Sequence, residues 1–213
     1  MKVLIACEES QTVCKAFRAL GCEAYSCDIL QCSGGHPEWH LQQNVVPLLK
    51  KHWDLIIAHP PCTYLTVTGN RWFNRKKYGE AAIKRERERK KALNFFMQFT
   101  KTRCKHVAIE NPVGIVSTHW RKPDQIIQPY QFGDPYEKKT CLWLIGLPKL
   151  KPTEEVAPPP RKRFASGNTM PEWYADLWKL PKDERQRLRS KTFQGIANAM
   201  AEQWTDYLNK INL

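Results

Sequence analysis

The chain has 213 residues, 42% of them hydrophobic, and 34 Lys and Arg against 21 Asp and Glu give it a formal charge of +13. That length admits one domain with a sizeable core plus appendages rather than two full domains, and no run approaches the roughly 18 apolar residues that a membrane helix needs. The positive charge is clustered at residues 71–77, 84–91, 161–163 and 182–191, which favours a polyanionic partner, nucleic acid first, over simple solubility.

In chain order, residues 3–7 are a short apolar run without helical period and are expected to form a strand. Glu8 and Glu9 interrupt the run too early for a signal peptide, so a cytoplasmic location is expected. Ser10, then Val13, Ala16, Phe17 and Leu20 on one helical face, then Gly21, predict a capped helix and its stop. Residues 23–27 resume as a strand ending at Asp28, which completes a βαβ unit of the kind that builds parallel sheets. Further strands are predicted at 54–58, 106–109 and 141–145, with a long helix over about 79–100. Residues 1–146 are thus expected to form an α/β core, a Rossmann-like, doubly wound, mostly parallel sheet. After Gly146, Pro148, Pro152, Pro158, Pro159 and Pro160 break regular structure ahead of Arg161-Lys162-Arg163. Residues 147–191 are expected to be a small irregular basic segment, in which Trp173, Tyr174 and Trp178 make either a local core or a stacking surface. Residues 192–213 predict a final helix with Ile196, Met200, Trp204 and Leu208 on one face, docking back on the sheet. The eight cysteines are irregularly spaced and are expected to be reduced. No metal-ligand spacing occurs among them.

In an open parallel sheet, ligands sit beyond the carboxyl ends of the strands. Glu8 and Glu9 follow the first predicted strand, Asp28 the second, His59-Pro60-Pro61-Cys62 the third and Glu110-Asn111-Pro112 the fourth. The first βα turn, Cys7-Glu8-Glu9-Ser10-Gln11, has no glycine and two carboxylates, so it would repel a pyrophosphate and better suits a phosphate-free, positively charged cofactor such as S-adenosylmethionine. Asp28 is placed to accept from ribose hydroxyls. Glu8, Glu9 and Asp28 read equally as carboxylates that stabilise helix N-termini. Two prolines after an apolar strand present Cys62 rigidly, and near basic residues its thiol could have the lowered pKa of a nucleophile; a buried structural cysteine is the plainer alternative. Glu110 could supply a proton or strong hydrogen bond at cytosine N3 if its pKa is raised, or could merely cap the next segment.

Taken together, these residues resemble the C5-cytosine DNA methyltransferase superfamily, and its compact phage-type members most. Pro61-Cys62 is similar to the family's nucleophile motif, and Glu110-Asn111, with Pro112, to the motif that contacts the cytosine edge. The resemblance extends to residues 57–65, 125–133 and 140–144. It implies that Cys7, Glu8, Glu9, Ser10, Asp28, Ile29, Asn44, His59 and Pro60 hold S-adenosylmethionine, joined by Asn198 from the last motif, Gly195-Ile196-Ala197-Asn198-Ala199-Met200-Ala201. It also implies attack of Cys62 on C6, assisted by Glu110, methyl transfer to C5, and a target base taken out of the duplex stack. Arg71, Arg75, Arg161 and Arg163 are candidate phosphate contacts, or solvated surface groups. The chain departs from the family in three places. Cys7-Glu8-Glu9-Ser10 stands where a glycine-rich motif is usual, Gln43-Asn44 stands where relatives carry Gly-Asp, and only the basic segment is left to recognise a target sequence.

Other readings stay open. An amino-methylating DNA enzyme also places Pro-Pro after a strand, but the flanks His59 and Cys62 disfavour it. Modification of free cytosine nucleotides is permitted by the small recognition segment and opposed by the charge. A catalytically silent DNA-binding protein on a methyltransferase scaffold is the reading from a different class.

Overall fold

The structure, a computed structural model, describes residues 1–211, with the side chains of residues 182, 186 and 187 left out. Seven strands make the central sheet: β1 (Lys2–Ala6), β2 (Glu23–Asp28), β3 (His40–Gln42), β4 (Leu55–Ala58), β5 (Val107–Pro112), β6 (Gln125–Ile127) and β7 (Thr140–Ile145). Their spatial order is β3-β2-β1-β4-β5-β7-β6. All pairings are parallel except those of β7, which runs antiparallel to both β5 and β6. The order reverses between β1 and β4, and at such a switch point a crevice opens beyond the strand ends. This is the mostly parallel, doubly wound α/β sheet expected from the sequence.

The strands alternate between two cores, which is why their sequences read as unbroken apolar runs. Val3, Ile5, Leu55, Ile57, Leu142 and Leu144 face one side and pack with α1 (Thr12–Ala19) and α6 (Gln194–Ile211). Leu4, Ala6, Ile56, Ala58, Ile109 and Trp143 face the other, under α2 (Arg75–Gln98) and the short α3 (Val116–His119). Trp204, fully buried on α6, satisfies its indole N–H on the Pro148 carbonyl at 3.1 Å, and Trp143 does the same on Arg121 at 2.8 Å.

Three local expectations are corrected and two strands are added. Ser10 does not cap α1: Gln11, in the left-handed region with φ 59°, precedes the helix, and the Glu8 carboxylate accepts from the amides of Val13 and Cys14 at 2.7 and 3.2 Å. The long helix begins at Arg75, not near Gly79, and Gly79 instead kinks it with φ 47° and ψ −126°. Strands β3 and β6, three residues each, were too short to carry a period. The basic segment is not irregular throughout. It folds a hairpin, β8 (Arg161–Arg163) with β9 (Thr169–Pro171), then α4 (Glu172–Asp176) and α5 (Lys182–Ser190). Trp173 meets Tyr136, Tyr174 and Phe193 edge to face, forming the local core, whereas Trp178 is 56% exposed. The expected final helix is α6; residues 212 and 213 lie outside the described residues.

Candidate active site

β4 ends at Ala58, and the following Pro60 and Pro61 hold the backbone of the His59–Cys62 turn near φ −65°. The turn closes where the Cys62 carbonyl accepts from the amides of Leu65 and Thr66 at 2.9 and 3.0 Å. Two contacts from β5 and its exit bind this turn to its neighbour. Asn111, 2% exposed, donates from Nδ2 to the Pro60 carbonyl at 2.7 Å, and the Ile115 amide donates to the Leu65 carbonyl at 2.8 Å. A Cβ on Gly114 would lie 2.1 Å from that same Leu65 oxygen, so only glycine allows the two loops to approach this closely.

Glu110 Oε2 lies 3.0 Å from His59 Nδ1, with side-chain exposures of 12% and 10%. At that separation one proton lies between the two atoms, whichever group carries it. Burial raises the Glu110 pKa, but the His59 hydrogen bond and the Lys138 ammonium outweigh it and hold the carboxyl below its ordinary range. In the free protein Glu110 thus lacks the raised pKa on which its role as a donor was conditioned. The Cys62 thiol likewise lacks the lowered one that would suit a nucleophile. Burial pushes it up and the Glu110 charge adds to that, while Lys138 and Arg189 pull it down without reversing the sign. The structure thus brings Cys62 and Glu110 within electrostatic reach of each other, with Lys138 acting on both and Arg189 on Cys62. Two atoms here, His59 Nε2 and Asn111 Oδ1, are buried without a hydrogen-bond partner, a condition that costs about 1–3 kcal/mol per group unless a ligand relieves it.

Lys138 and Arg189 were missed by sequence reasoning. Collecting the carboxyl ends of strands finds groups delivered by parallel strands only. β7 is antiparallel, pairing Pro112 with Thr140 and Asn111 with Cys141, so its beginning, just after Lys138, arrives at the edge where the parallel strands end. Lys138 is held there by donation to the Lys191 carbonyl at 3.1 Å. Arg189 comes from α5, with its guanidinium 4.3 Å from the Tyr174 ring centre.

Beside this pair, at the ends of β1 and β2, the expected cofactor residues are only partly gathered. Cys7 and Glu8 spend both backbone amides on the Cys27 carbonyl, at 2.7 and 3.2 Å. Glu8 is 4% exposed with both carboxylate oxygens committed to α1. Glu9 and Ser10 are half-buried; the Glu9 carbonyl accepts from the Ser33 amide at 2.9 Å. Asp28 is half-buried, accepts from the Leu30 amide at 2.9 Å, and has its pKa raised by burial and by the Glu9 charge. Ile29 is 73% exposed. Asn44 is exposed and turns its Oδ1 onto the Val46 amide at 2.9 Å, and Asn198, exposed on α6, accepts from Gln194 at 2.8 Å. Gln11, also missed, is fully buried and ties the 32–36 loop to this edge through the His36 carbonyl and amide, at 2.8 and 3.1 Å.

Among solved structures, the chain is similar to two methyltransferases. One is described as a DNA modification methyltransferase encoded within a prophage of Escherichia coli: identity 13%, TM-score 0.43, covering 68% of this chain and 46% of that one. The other is the Entamoeba histolytica methyltransferase EhMeth: identity 13%, TM-score 0.46, covering 73% of this chain and 57% of that one. The chain therefore spans about half the length of each. No protein-family model matches it, and no curated protein matches it in sequence.

The four candidate arginines do not converge. Arg71 is exposed and lies against the neighbouring Trp72 ring, 4.8 Å from its centre. Arg75 is paired with Glu86 and Arg161 with Glu137, and Arg163 is exposed on β8. Exposed pairs of this kind exchange readily, since they are worth about 0–1 kcal/mol. Among the described residues, no group of three His, Cys, Asp or Glu is arranged to hold a metal, and no helix is long and apolar enough to cross a membrane.

Proposed function

We propose that the chain is an S-adenosylmethionine-dependent methyltransferase acting on C5 of cytosine in DNA, with Cys62 as the covalent nucleophile. The observation that carries this reading is the Glu110–His59 pair, 3.0 Å apart and mostly buried, at the same His59–Cys62 turn that Asn111 of β5 ties down through the Pro60 carbonyl at 2.7 Å.

The residues beside that cluster suit a donor that has no phosphate and bears positive charge. Cys7 and Glu8 have no amides left for a pyrophosphate, while Asp28 and Glu9 bring negative charge and acceptors for hydroxyls. S-adenosylmethionine would supply the methyl group; Asp28 would hold its ribose, with Glu9 and Ser10 on the same edge. Glu8, spent on α1, would act only by shaping that edge.

On the substrate side, Asn111 Oδ1 and His59 Nε2 offer unpaired polar atoms to an incoming base. The Cys62 thiolate forms the S–C6 bond while the C5–C6 π electrons move into the ring. The proton given up as the Cys62 thiol ionises passes to the Glu110 carboxylate, whose O–H then donates to N3 and stabilises that charge. Once C5 is methylated, loss of the C5 proton to solvent water re-forms the C5–C6 double bond and expels the Cys62 thiolate. Cys62 ionises less readily than an ordinary thiol in the free protein, so base binding has to favour the thiolate. Uptake of that proton by Glu110, held there by the hydrogen bond to N3, neutralises the carboxylate whose charge, after burial, opposes Cys62 ionisation.

Trapping on 5-fluorocytosine DNA, where the C5 substituent cannot leave as a proton, tests this directly. A covalent adduct that needs S-adenosylmethionine and is lost in Cys62→Ala is expected. Undiminished trapping in Cys62→Ala rejects the nucleophile. Methyl transfer to dCMP at rates comparable to DNA would move the substrate to free nucleotides, and DNA binding with no adduct would leave a silent scaffold.

A further inference from the structure

Beyond Cys62 the chain does not return at once to the sheet. Residues 63–73 fold into a loop laid across α2, with a 3₁₀ turn over Val67–Phe73. Two arginines of α2 build its underside. Arg85 donates to the Thr63 carbonyl at 3.1 Å and lies 5.0 and 5.1 Å from the ring centres of Tyr64 and Phe73. Arg89 donates to the Tyr64 carbonyl at 2.9 Å and to Asn70 at 2.7 Å, with its guanidinium 3.4 Å from the Phe73 ring centre. A Cβ on Gly69 would sit 2.7 Å from Arg85 Nη2, so glycine leaves room for that strut. These cations are consumed in shaping the loop.

Above them lies an open cleft of about 330 Å³, lined by Tyr64, Trp72, Tyr78, Lys84, Arg85 and Glu88, a size within the range of small-ligand sites. Trp72 is 41% exposed, and its ring centre is 5.0 Å from that of Tyr78 at 47°. Tyr78 precedes the kink at Gly79, whose φ of 47° an L side chain would adopt only with strain. The backbone irregularity and the exposed indole are both costs to folding, and both occur at the same aromatic pair. The cleft also carries a mixed charge. Glu88 faces it, paired with Lys91 at 2.8 Å, and disfavours a phosphate inside, whereas Lys84 is exposed at the rim. Around it, residues 84–91 hold six cations against two carboxylates.

We infer that this cleft receives an unpaired nucleobase next to the target cytosine, stacked on Trp72 and Tyr78, with the adjoining phosphate at Lys84. Aromatic faces with flanking cations are the chemistry of single-stranded nucleic-acid binding. A base can enter only if it is out of a duplex stack, so the inference makes single-stranded or locally opened DNA the preferred substrate. It rests on the reading of DNA as the partner, but not on the covalent chemistry.

The test is fluorescence anisotropy of a labelled short single-stranded deoxyoligonucleotide, without methyl donor, in the full chain carrying Cys62→Ala. Trp72→Ala is expected to weaken binding about ten- to a hundredfold, with the slope of log affinity against log salt unchanged, because no phosphate contact is lost. Lys84→Gln is expected to reduce that slope by about 0.7. An abasic nucleotide at one position flanking the cytosine should reproduce the Trp72→Ala loss and not add to it. Trp72→Leu, which keeps bulk without a π face, replaces Trp72→Ala if the latter melts early. Wild-type affinity in the Trp72 variant, or losses that add at every abasic position, overturns the inference. Failure of 5-fluorocytosine trapping would leave this binding result standing, so the two proposals fail separately.

Discussion

Lys138 tests the electrostatics of the site most directly. Lys138→Met keeps the length of the stem against Phe193, where Nζ now lies 5.7 Å from the ring centre, and removes the charge and the bond to the Lys191 carbonyl. That charge lowers both Cys62 and Glu110. A nearby positive charge favours the ionised form of an acid, so removing the half-buried Lys138 ammonium raises the pKa of both groups further. Glu110, starting below its ordinary range, stays ionised near neutrality even after such a rise, so the effect is felt at the sulfur. Below its pKa a thiol gains thiolate about tenfold per pH unit, and a thiol raised by one unit therefore has about tenfold less at the same pH. The assay is the single-turnover rate of adduct formation on 5-fluorocytosine DNA from about pH 6.5 to 9, a range bracketing the ordinary thiol value. Wild type and Lys138→Met should both rise with pH, the variant along a parallel line displaced to higher pH and so slower at every pH below its thiol pKa; Lys138→Arg should lie near wild type. Superimposed profiles, with melting temperatures unchanged, would refute the charge coupling between Lys138 and Cys62.

The remaining predictions concern how the site is held. Gly114→Ala drives a methyl group into the Leu65 carbonyl oxygen; it should cost about 1–3 kcal/mol in chemical denaturation and displace the Cys62 turn, lowering the adduct rate more than DNA affinity. Asn111→Ala removes the donor to the Pro60 carbonyl and should cost about 1–2 kcal/mol while slowing adduct formation at least about tenfold; unchanged kinetics would mean the turn is rigid without it. Glu8→Gln leaves one acceptor oxygen for the two amides of Val13 and Cys14 and should cost about 1 kcal/mol near neutrality. Because burial raises the Glu8 pKa against the opposing His59 charge and amide bonds, the folded state binds this proton more readily than the unfolded chain, so wild type gains stability as pH falls through the folded pKa toward about 4.3. Glu8→Gln lacks that gain, and the difference between the two stability curves across this interval checks the sign.

Periodicity and the rule of strand ends were enough to read the sheet class, the five strands β1, β2, β4, β5 and β7, and the docking face of α6. Each of these is local: a run buried on both faces, or a helical stripe, carries its own pattern along the chain. The same locality placed Cys62 and Glu110 at one edge, because two parallel neighbours must end on the same side. Where the chain's meaning depends on partners distant in sequence, the reading stopped. Whether Glu8 faces a ligand or caps a helix depends on where α1 begins, and the left-handed Gln11 decided that. The direction of β7 brought Lys138 to the site, and the fold of residues 172–190 brought Arg189 there. Neither cation sits in a motif. The signs of the Cys62 and Glu110 shifts are likewise sums over burial, His59, Lys138 and Arg189. The sequence by itself determined which titratable groups stand at the strand ends; only the tertiary structure decided the direction in which their pKa values shift, because a pKa is set by all the charges and solvent around a group, and those are assembled from the whole chain.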